Sequence, residues 1–463
     1  MEVVDKTGLL AENPIDLSYG VTIQDLDGDG VPEIFVATQR GANHLFRQVE
    51  GRYYDMTPAL LQDADFSALG VAAADMTGNG LPDLYIANTD TFAGAITEPD
   101  RLFINRGDFQ FDEFLTDHPD RNIGSSRSVV WFDPLGNLRY GLFVVNMGAP
   151  NRMFLNDPLV GFRNIAPVAH GLGIISGGRS LVAQDIRGIG RMDLLVLNEQ
   201  APNLFFRNLG QGVFRECAED LGLADVEGHA RGVQVCDLDR DGRVEFLWAN
   251  WEGHHRWMQE TPEGTYRDQA SYAWAKPSKA RTVIVADFDN DGWEEVFLNN
   301  IDEPNRLFRM VEGRMVEIDP GPMLLPDGAG TGASVGDLDG DGWLELFVCH
   351  GESMPQRNRI FACAPNGNHW VRIAPLTPAG APAIGARVTV QHRDGPMIRF
   401  IDGGSGYLCQ MEPIAHFGLG RDQDVPVVRV LFSDGDEVTL KDLAIDTVHR
   451  VPHPRTPGFM TSP

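Results

Sequence analysis

The stretch DLDGDGVPE at residues 25–33 decides the fold, because its pattern returns at nearly equal intervals along the chain. Four of the other copies are clear and two are eroded. The opening aspartates of the seven copies are Asp25, Asp75, Asp133, Asp185, Asp237, Asp287 and Asp337. Successive copies are 50, 58, 52, 52, 50 and 50 residues apart. A nearly constant period of this length is typical of proteins built from repeated structural units.

Each repeat contains four short apolar runs in the same order. One run precedes the acidic loop, as in VQVC at residues 233–236, and a second follows it, as in EIFV at residues 33–36. A third and a fourth come next, as in NLFF at residues 203–206 and FR at residues 214–215. Runs rich in Val, Ile, Phe and Tyr and bounded by Gly, Asn, Asp and Pro indicate strands and turns. Four strands per repeat predict a propeller blade, so the sequence predicts an all-β, seven-bladed β-propeller over residues 1–365.

The two ends of the repeat region indicate how the ring closes, since an open ring would leave sheet edges unpaired. The segment VVDKTGL at residues 3–9 resembles YYDMT at residues 53–57, which is expected to be an outermost strand. We therefore expect the N-terminus to supply the outermost strand of the seventh blade, with WVRI at residues 370–373 as the alternative. The repeat stops near residue 365. Residues 366–463 keep strand-like alternation, which predicts a small C-terminal β-domain.

Composition excludes several classes of protein. The 463 residues include 38 Lys and Arg against 66 Asp and Glu, and the formal charge of −28 argues against nucleic acid or anionic lipid as a partner. No apolar stretch approaches the roughly 18 residues that predict a membrane span. The five cysteines are scattered without a CxxC pair, so we expect buried thiols rather than disulfides or a zinc site. The first residues lack a basic segment followed by an apolar one, so we expect a cytoplasmic protein, or a secreted one if a leader preceded this chain.

The acidic loop has the spacing of a calcium-binding loop. In D-x-D-x-D-G-x-x-[DE], side-chain oxygens stand at the first, third, fifth and ninth positions, and the backbone carbonyl of the seventh completes the cage. Hard oxygen ligands in flexible geometry suit Ca²⁺ better than Mg²⁺. A strand rather than a helix follows the loop, which separates it from an EF-hand. We expect four to five Ca²⁺ sites, with Mg²⁺ as the alternative ion, and the competing interpretation is a set of solvated Asp-Gly turns.

The predicted metal ligands come from five of the seven loops. They are Asp25, Asp27, Asp29, Val31, Glu33, Asp75, Thr77, Asn79, Leu81, Asp83, Asp237, Asp239, Asp241, Arg243, Glu245, Asp287, Asp289, Asp291, Trp293, Glu295, Asp337, Asp339, Asp341, Trp343 and Glu345. The two eroded loops have Leu135, Asn137 and Gly141 in one, and Arg187 and Ile189 in the other. We expect no calcium there and expect Arg187 to supply a guanidinium instead. Calcium is expected to stabilise the blades rather than to perform chemistry, because clustered carboxylates repel one another without a cation.

Four arginines occupy equivalent places in four consecutive repeats. The residues six positions before the opening aspartates are Tyr19, Leu69, Arg127, Arg179, Arg231, Arg281 and Thr331. An inner strand starts at the end of the channel opposite the acidic loops, so these arginines are expected to form a half-ring at that channel mouth. Converging guanidinium groups suit a phosphate or a carboxylate. The competing interpretation is that each arginine pairs with an acid of a neighbouring blade as a packing feature.

The loops after the second strand reach the same channel mouth. Their candidate side chains are Trp251, His254, His255, His350, Glu352, Glu199, Asp302 and Glu303. We predict a ligand-binding site made of Arg127, Arg179, Arg231, Arg281, Trp251 and His350. His254 and His255 are interpreted as a surface turn rather than a catalytic pair. No nucleophile elbow, HExxH, P-loop or dinucleotide motif is present, so catalytic residues are unknown.

The repeats resemble the FG-GAP/VCBS repeats of integrin-alpha-type propellers over residues 1–365. The segments NHWVR at 368–372, AIGARVTV at 383–390, GSGYL at 404–408 and HFGLG at 416–420 resemble the ASPIC/UnbV domain. The pairing is similar to that of the cartilage acidic protein-like family. This resemblance implies a calcium-bound propeller, often secreted, with some bacterial members in biosynthetic pathways.

The leading functional prediction is a calcium-binding propeller that acts as a ligand-binding or scaffold protein. Its expected partner is a small anionic ligand, held at the channel mouth, or another protein. The alternative is a cytosolic biosynthetic enzyme, such as a cyclase or isomerase, acting on an anionic or isoprenoid-like substrate in the channel. The arginine half-ring and the missing leader favour the alternative, and the lack of a catalytic motif favours the first prediction.

Overall fold

The computed structural model describes residues 1–89, 97–159, 161–167, 171–352 and 354–458. Helix is scarce in these ranges. The α-helices there are single turns, α1 (Ala59–Gln62), α2 (Ala218–Leu221) and α3 (Tyr272–Ala275), and 3₁₀ turns cover Thr7–Leu9 and Gly321–Leu324. None of the helices in the described ranges is long and apolar enough to cross a membrane.

In the described part of the chain, 28 strands form seven antiparallel sets of four, here called blades 1 to 7 in chain order. Blade 1 contains β2 (Ser18–Gln24), β3 (Glu33–Thr38), β4 (His44–Val49) and β5 (Arg52–Asp55). Blade 2 contains β6 (Ala68–Ala74), β7 (Asp83–Asn88), β8 (Arg101–Asn105) and β9 (Phe111–Glu113). Blade 3 contains β10 (Ser126–Phe132), β11 (Gly141–Pro150), β12 (Arg152–Asp157) and β13 (Gly161–Asn164). Blade 4 contains β14 (Ile175–Gln184), β15 (Asp193–Asn198), β16 (Leu204–Gly210) and β17 (Val213–Glu216).

Blade 5 contains β18 (Ala230–Cys236), β19 (Glu245–Asn250), β20 (Arg256–Glu260) and β21 (Tyr266–Asp268). Blade 6 contains β22 (Ala280–Ala286), β23 (Glu295–Asn300), β24 (Arg306–Val311) and β25 (Arg314–Ile318). Blade 7 contains β26 (Gly330–Gly336), β27 (Glu345–His350), β28 (Arg359–Cys363) and β1 (Val3–Asp5). The predicted all-β propeller fold is confirmed.

The blades form a closed ring. Each inner strand contacts the inner strands on both sides, in the order β2, β6, β10, β14, β18, β22, β26 and back to β2. The N-terminal strand β1 pairs with β28, with Val3 opposite Cys363 and Asp5 opposite Phe361. The N-terminus therefore closes blade 7 as predicted, and residues 370–373 pair within the C-terminal domain instead. Blades 3 and 4 are also joined, because β11 and β14 pair where Met147 lies opposite Gly177.

The core is divided into apolar layers between neighbouring blades. Val36 and Phe46 of blade 1, for example, pack with Phe347 of blade 7, and all three are fully buried. Each blade is apolar on both faces of its inner strands, because it is covered by a blade on each side. The five cysteines are buried and free, as the sequence predicts.

The C-terminal domain has two sheets and covers the end of the ring where the acidic loops lie. Its strands are β29 (His369–Leu376), β30 (Arg387–His392), β31 (Gly395–Phe400), β32 (Ala415–Gly420), β33 (Val428–Leu431), β34 (Glu437–Leu440) and β35 (Val448–Pro452). They are ordered β32-β29-β35 and β31-β30-β33-β34. The Gly418 N–H donates to Asp287 Oδ2 (3.1 Å), and Arg372 Nη1 donates to Asp337 Oδ2 (2.9 Å). The domain is therefore hydrogen-bonded directly to the loops of blades 6 and 7.

One segment of the C-terminal domain, residues 402–412, enters the propeller channel and is called here the channel segment. Its backbone hydrogen-bonds to the inner strands of four blades, through Gly403 with Trp131, Gly406 with Val233, Leu408 with Val71 and Gln410 with Val21. Small residues make room for it. A Cβ at Gly20 would lie 2.5 Å from the Leu408 carbonyl oxygen, and one at Gly332 would lie 2.5 Å from Cys409 Sγ. The predicted channel is thus filled by the protein's own chain.

Candidate functional site

The acidic loops gather carboxylates at the positions that the spacing predicts. Oxygen atoms of three carboxylates lie within 4.8 Å of one another in four loops. The groups are Asp25, Asp27 and Asp29; Asp237, Asp239 and Asp241; Asp287, Asp289 and Asp291; and Asp337, Asp339 and Glu345. The glycine at the sixth position turns the chain back, since Gly30 has φ 92° and donates its N–H to Asp25 Oδ2 (2.9 Å). This turn aims the first carboxylate into the loop.

Several of these carboxylate oxygens are buried without a hydrogen bond. Within the described residues they include Asp237 Oδ1, Asp287 Oδ1, Glu295 Oε1 and Glu345 Oε1, which belong to the first and ninth loop positions. Buried polar atoms nearly always have a partner, so repeated exceptions at equivalent positions need an explanation. A cation held by hard oxygen ligands fits this donor set.

The pKa values of the loop carboxylates also indicate a cation site. Burial and the neighbouring aspartates raise the pKa of Glu33 to about 8, and burial and Asp239 raise the pKa of Glu245 to about 8. Burial also raises the pKa of Asp287 and Glu295 well above the usual range. Carboxylates in such surroundings are costly to keep ionised unless a positive charge stands among them.

Basic side chains approach some of the loops from outside. Lys6 Nζ lies 2.7 Å from Asp339 Oδ2 and 3.4 Å from Glu345 Oε1 in blade 7. In blade 6, Arg309 pairs with Asp291 and lies 3.5 Å from Glu295 Oε1. These contacts do not hydrogen-bond the buried glutamate oxygens, so they neutralise part of the charge and leave the inner ligand atoms unused.

The remaining three loops have other side chains at the ligand positions. In blade 4, Arg187 donates from Nη2 to Asp193 Oδ1 (2.9 Å) and from Nε to Oδ2 (3.1 Å), so a guanidinium stands beside the carboxylate. In blade 3, the Ser433 hydroxyl donates to Asp133 Oδ2 (3.0 Å). Blade 2 has only Asp75 and Asp83 as loop carboxylates, and burial raises the pKa of Asp83 to about 7.

The structure brings the four predicted arginines and Trp251 together at the opposite end of the channel. Arg179 and Arg231 share Glu199, with Arg231 Nη2 2.8 Å from Glu199 Oε1. Arg281 Nη2 lies 3.0 Å from Glu352 Oε1, and the indole of Trp251 lies 4.4 Å from the Arg281 guanidinium carbon.

Arg127 is 1% exposed and lies near Arg179, and burial together with Arg179 lowers the pKa of Arg127 to about 10. Within the described residues, Arg179, Arg231 and Arg281 pair with two carboxylates, Glu199 and Glu352. The packing interpretation explains these pairs, and a group of converging guanidinium side chains also suits an anion.

A residue that the motif analysis missed lies at the centre of this group. Tyr407, at the tip of the channel segment, is 4% exposed and has its ring 5.8 Å from the Arg281 guanidinium carbon. Burial would raise the pKa of Tyr407, but Arg281, Arg179 and Arg231 outweigh it and lower that pKa below its ordinary value. Tyr407 lies within the GSGYL segment at residues 404–408, which is a signal of its domain and not of a site.

Two of the histidines that the sequence singles out, His255 and His350, are buried. His350 packs against Gly328, and burial lowers the pKa of His350 to about 4. His255 is fully buried, so the expectation of a surface turn is wrong for it. Its Nδ1 accepts the Asn250 N–H (3.1 Å), and its Nε2 lies 3.1 Å from Ser278 Oγ. In other blades an asparagine side chain accepts the equivalent N–H, as Asn43, Asn151, Asn203, Asn305 and Asn358 do.

Comparisons with known proteins agree with this architecture. A family model described as FG-GAP-like repeat matches residues 25–86, 185–248, 237–298 and 287–348, and one described as ASPIC and UnbV matches residues 377–457. Cartilage acidic protein 1 of Homo sapiens is 36% identical over 494 residues, which cover 97% of this chain and 74% of that protein. The Mus musculus protein of the same name is 38% identical, over 92% of this chain and 72% of that protein.

A solved structure shares the fold alone. The BP39L lectin from Burkholderia pseudomallei superimposes with a TM-score of 0.53, covering 76% of this chain and 98% of that chain. Its sequence is 12% identical, so the likeness concerns the arrangement of strands and not the binding residues.

Proposed function

The chain belongs to the cartilage acidic protein family, and from that premise we propose that it is a calcium-binding β-propeller acting as a ligand-binding or scaffold protein. The observation that carries the calcium proposal is the set of buried, unbonded carboxylate oxygens at equivalent loop positions, including Asp237 Oδ1, Asp287 Oδ1 and Glu345 Oε1. A ligand-binding or scaffold role is supported by the FG-GAP repeat family and the lectin-like fold.

Each complete loop would hold the ion with its first, third, fifth and ninth side chains and its seventh carbonyl. Bound Ca²⁺ would supply two positive charges and several coordination positions to these oxygens. The chain's own part is to place the loops beside the C-terminal domain, where Asp287 accepts the Gly418 N–H and Asp337 accepts Arg372. Cation binding would therefore stabilise each blade and the contact between the two domains.

The test of the calcium proposal compares a complete loop with an eroded one. Stripped protein should melt at a higher temperature when excess Ca²⁺ is added, because binding to the folded state alone stabilises it by RT ln(1 + [L]/Kd). Asp287→Asn should reduce this increase, whereas the matched variant Asp185→Asn should keep it. A parallel titration with Mg²⁺ identifies the preferred ion. If chelation leaves the melting curve unchanged, the calcium proposal is wrong.

At the channel mouth we propose a site for a small anion or for an acidic group of a protein partner. The support is the convergence of Arg179, Arg231 and Arg281 on only two carboxylates within the described residues, and the buried Nε atoms of Arg231 and Arg281, which have no hydrogen-bond partner there. Each charge-assisted contact contributes roughly 1.5–3 kcal/mol.

Calorimetric titration of citrate and of diphosphate tests this site. Arg231→Gln should weaken anion binding by roughly tenfold or more, whereas Arg393→Gln, whose side chain is 71% exposed on the C-terminal domain, should not. Melting curves are recorded alongside. A destabilised Arg231→Gln protein, together with no anion binding by the wild type, means that the arginines are packing residues. The biosynthetic alternative draws no support from the relatives described above.

A further inference from the structure

A separate cavity lies between the acidic loops of blades 1 and 7 and the C-terminal domain. Its volume is about 490 Å³, which falls in the range of small-molecule sites, and such sites favour domain interfaces. It lies at the end of the propeller opposite the arginine half-ring, and different residues line it.

About half of the cavity wall is apolar. This part includes Leu376, Pro382, Ile414 and Val448, with the Trp370 indole, 8% exposed, as the aromatic wall. An apolar group of a ligand that packs against this part of the wall is removed from water. A fitting ligand therefore has an apolar part as well as a polar one.

The polar part of the wall offers donors. Arg372 is 4% exposed, donates from Nη1 to Asp337 Oδ2 (2.9 Å) and pairs through Nη2 with Glu412. Its Nε is buried and has no hydrogen-bond partner among the described residues. Arg450, an exposed residue, supplies a second guanidinium, with Nη2 3.1 Å from the position of a Cβ on Gly30. The cavity is thus lined by two guanidinium groups, of which that of Arg450 is exposed.

The carboxylates that line the cavity already have donors, and Asp25, Asp337 and Asp339 belong to the proposed calcium sites, so they are not free to bind an organic cation. Asp25 accepts the N–H groups of Gly28 and Gly30, and Asp339 pairs with Lys6 at 2.7 Å. Asp337 accepts three donors, from Gly340, Gly342 and Arg372, and Glu412 accepts the Asp337 N–H and Arg372. Each of these four carboxylates thus already has a donor.

We propose that this cavity binds a small amphipathic carboxylic acid. Its apolar body lies against Trp370 and Ile414, and its carboxylate accepts from the exposed guanidinium of Arg450, with Arg372 in the same wall. The site differs from the channel mouth in place, because it lies at the opposite end of the propeller and different residues line it.

Decanoate is the probe, with decanol and decylamine as matched chains that change only the head group. Titration calorimetry should show saturable one-to-one binding of decanoate and at least tenfold weaker binding of the other two, because a charge-assisted contact is lost. Arg450→Gln should weaken decanoate binding about tenfold and leave decanol unchanged. Arg393→Gln should leave decanoate binding unchanged.

A variant that fills the cavity tests whether decanoate binds there. Val448 is 39% exposed, so Val448→Trp can place its ring across the cavity without entering the core, and it should abolish decanoate binding while the protein melts normally. Arg231→Gln, which tests the channel mouth, should leave decanoate binding unchanged. The proposal for the channel mouth and the proposal for this cavity can therefore be refuted independently. Absence of saturable binding, equal affinity for all three chains, or undiminished binding by Val448→Trp would each overturn the proposal.

Discussion

Replacing Gln410 by alanine should loosen the hold of the C-terminal domain on the propeller. Gln410 is fully buried in the channel, and both polar atoms of its side chain are used. Its Oε1 accepts Thr22 Oγ1 (3.0 Å) and the Ala73 N–H (2.6 Å), while its Nε2 donates to the carbonyls of Ala73 (2.9 Å) and Asp402 (3.0 Å). One side chain therefore joins blades 1 and 2 to the channel segment.

The expected loss of unfolding free energy follows from these four hydrogen bonds. A buried hydrogen bond contributes about 1 kcal/mol net, so Gln410→Ala should lower the free energy of unfolding by about 4 kcal/mol. Gln410→Met keeps most of the volume and loses the same bonds, so it should cost nearly as much. Gln391→Ala, at an exposed position of β30, should change stability by less than about 0.5 kcal/mol.

Urea unfolding followed by circular dichroism measures the loss, and limited proteolysis measures the docking. The C-terminal domain of Gln410→Ala should be cut faster than that of the wild type, while Gln391→Ala behaves as the wild type does. A loss below about 1 kcal/mol with unchanged proteolysis would refute the seating of residues 402–412 in the channel. Tolerance of methionine but not of alanine would show that volume, and not hydrogen bonding, holds the segment.

Two further outcomes follow from titratable groups. Burial lowers the pKa of His255 to about 3, so the unfolded chain binds a proton between roughly pH 6.5 and pH 3 that the folded chain does not. His255 should therefore contribute a loss of roughly 2 kcal/mol of stability from pH 7 to pH 5, and the difference in urea midpoints between the wild type and His255→Asn at the two pH values should show this contribution. In a spectrophotometric titration, one phenol of the wild type should ionise below the usual range, and Tyr407→Phe should abolish that step. An unchanged titration curve would contradict the placement of Tyr407 among the arginines.

The sequence predicts the features that repeat and misses those that occur once. The acidic loops and the arginines recur at fixed offsets, so equivalent positions could be compared within the chain itself. Tyr407 and Gln410 come from a segment outside the repeats, and nothing in their spacing indicates that they enter the channel. His255 looks like half of a surface pair until its partner, the Asn250 N–H, is known. The cytoplasmic location and the metal sites stay predictions.

The pairing of β1 with β28 has a consequence for synthesis on the ribosome. Val3 is made 360 residues before its partner Cys363, and the channel segment follows later still. At about 5–20 residues per second, the first strand waits roughly 20 to 70 s for its neighbour. Throughout that interval the nascent chain has two unpaired sheet edges, which can pair with other chains. The emerging protein is therefore most exposed to aggregation just before β28 (Arg359–Cys363) is made, and a chaperone that covers those edges would act on the growing chain rather than on the folded one.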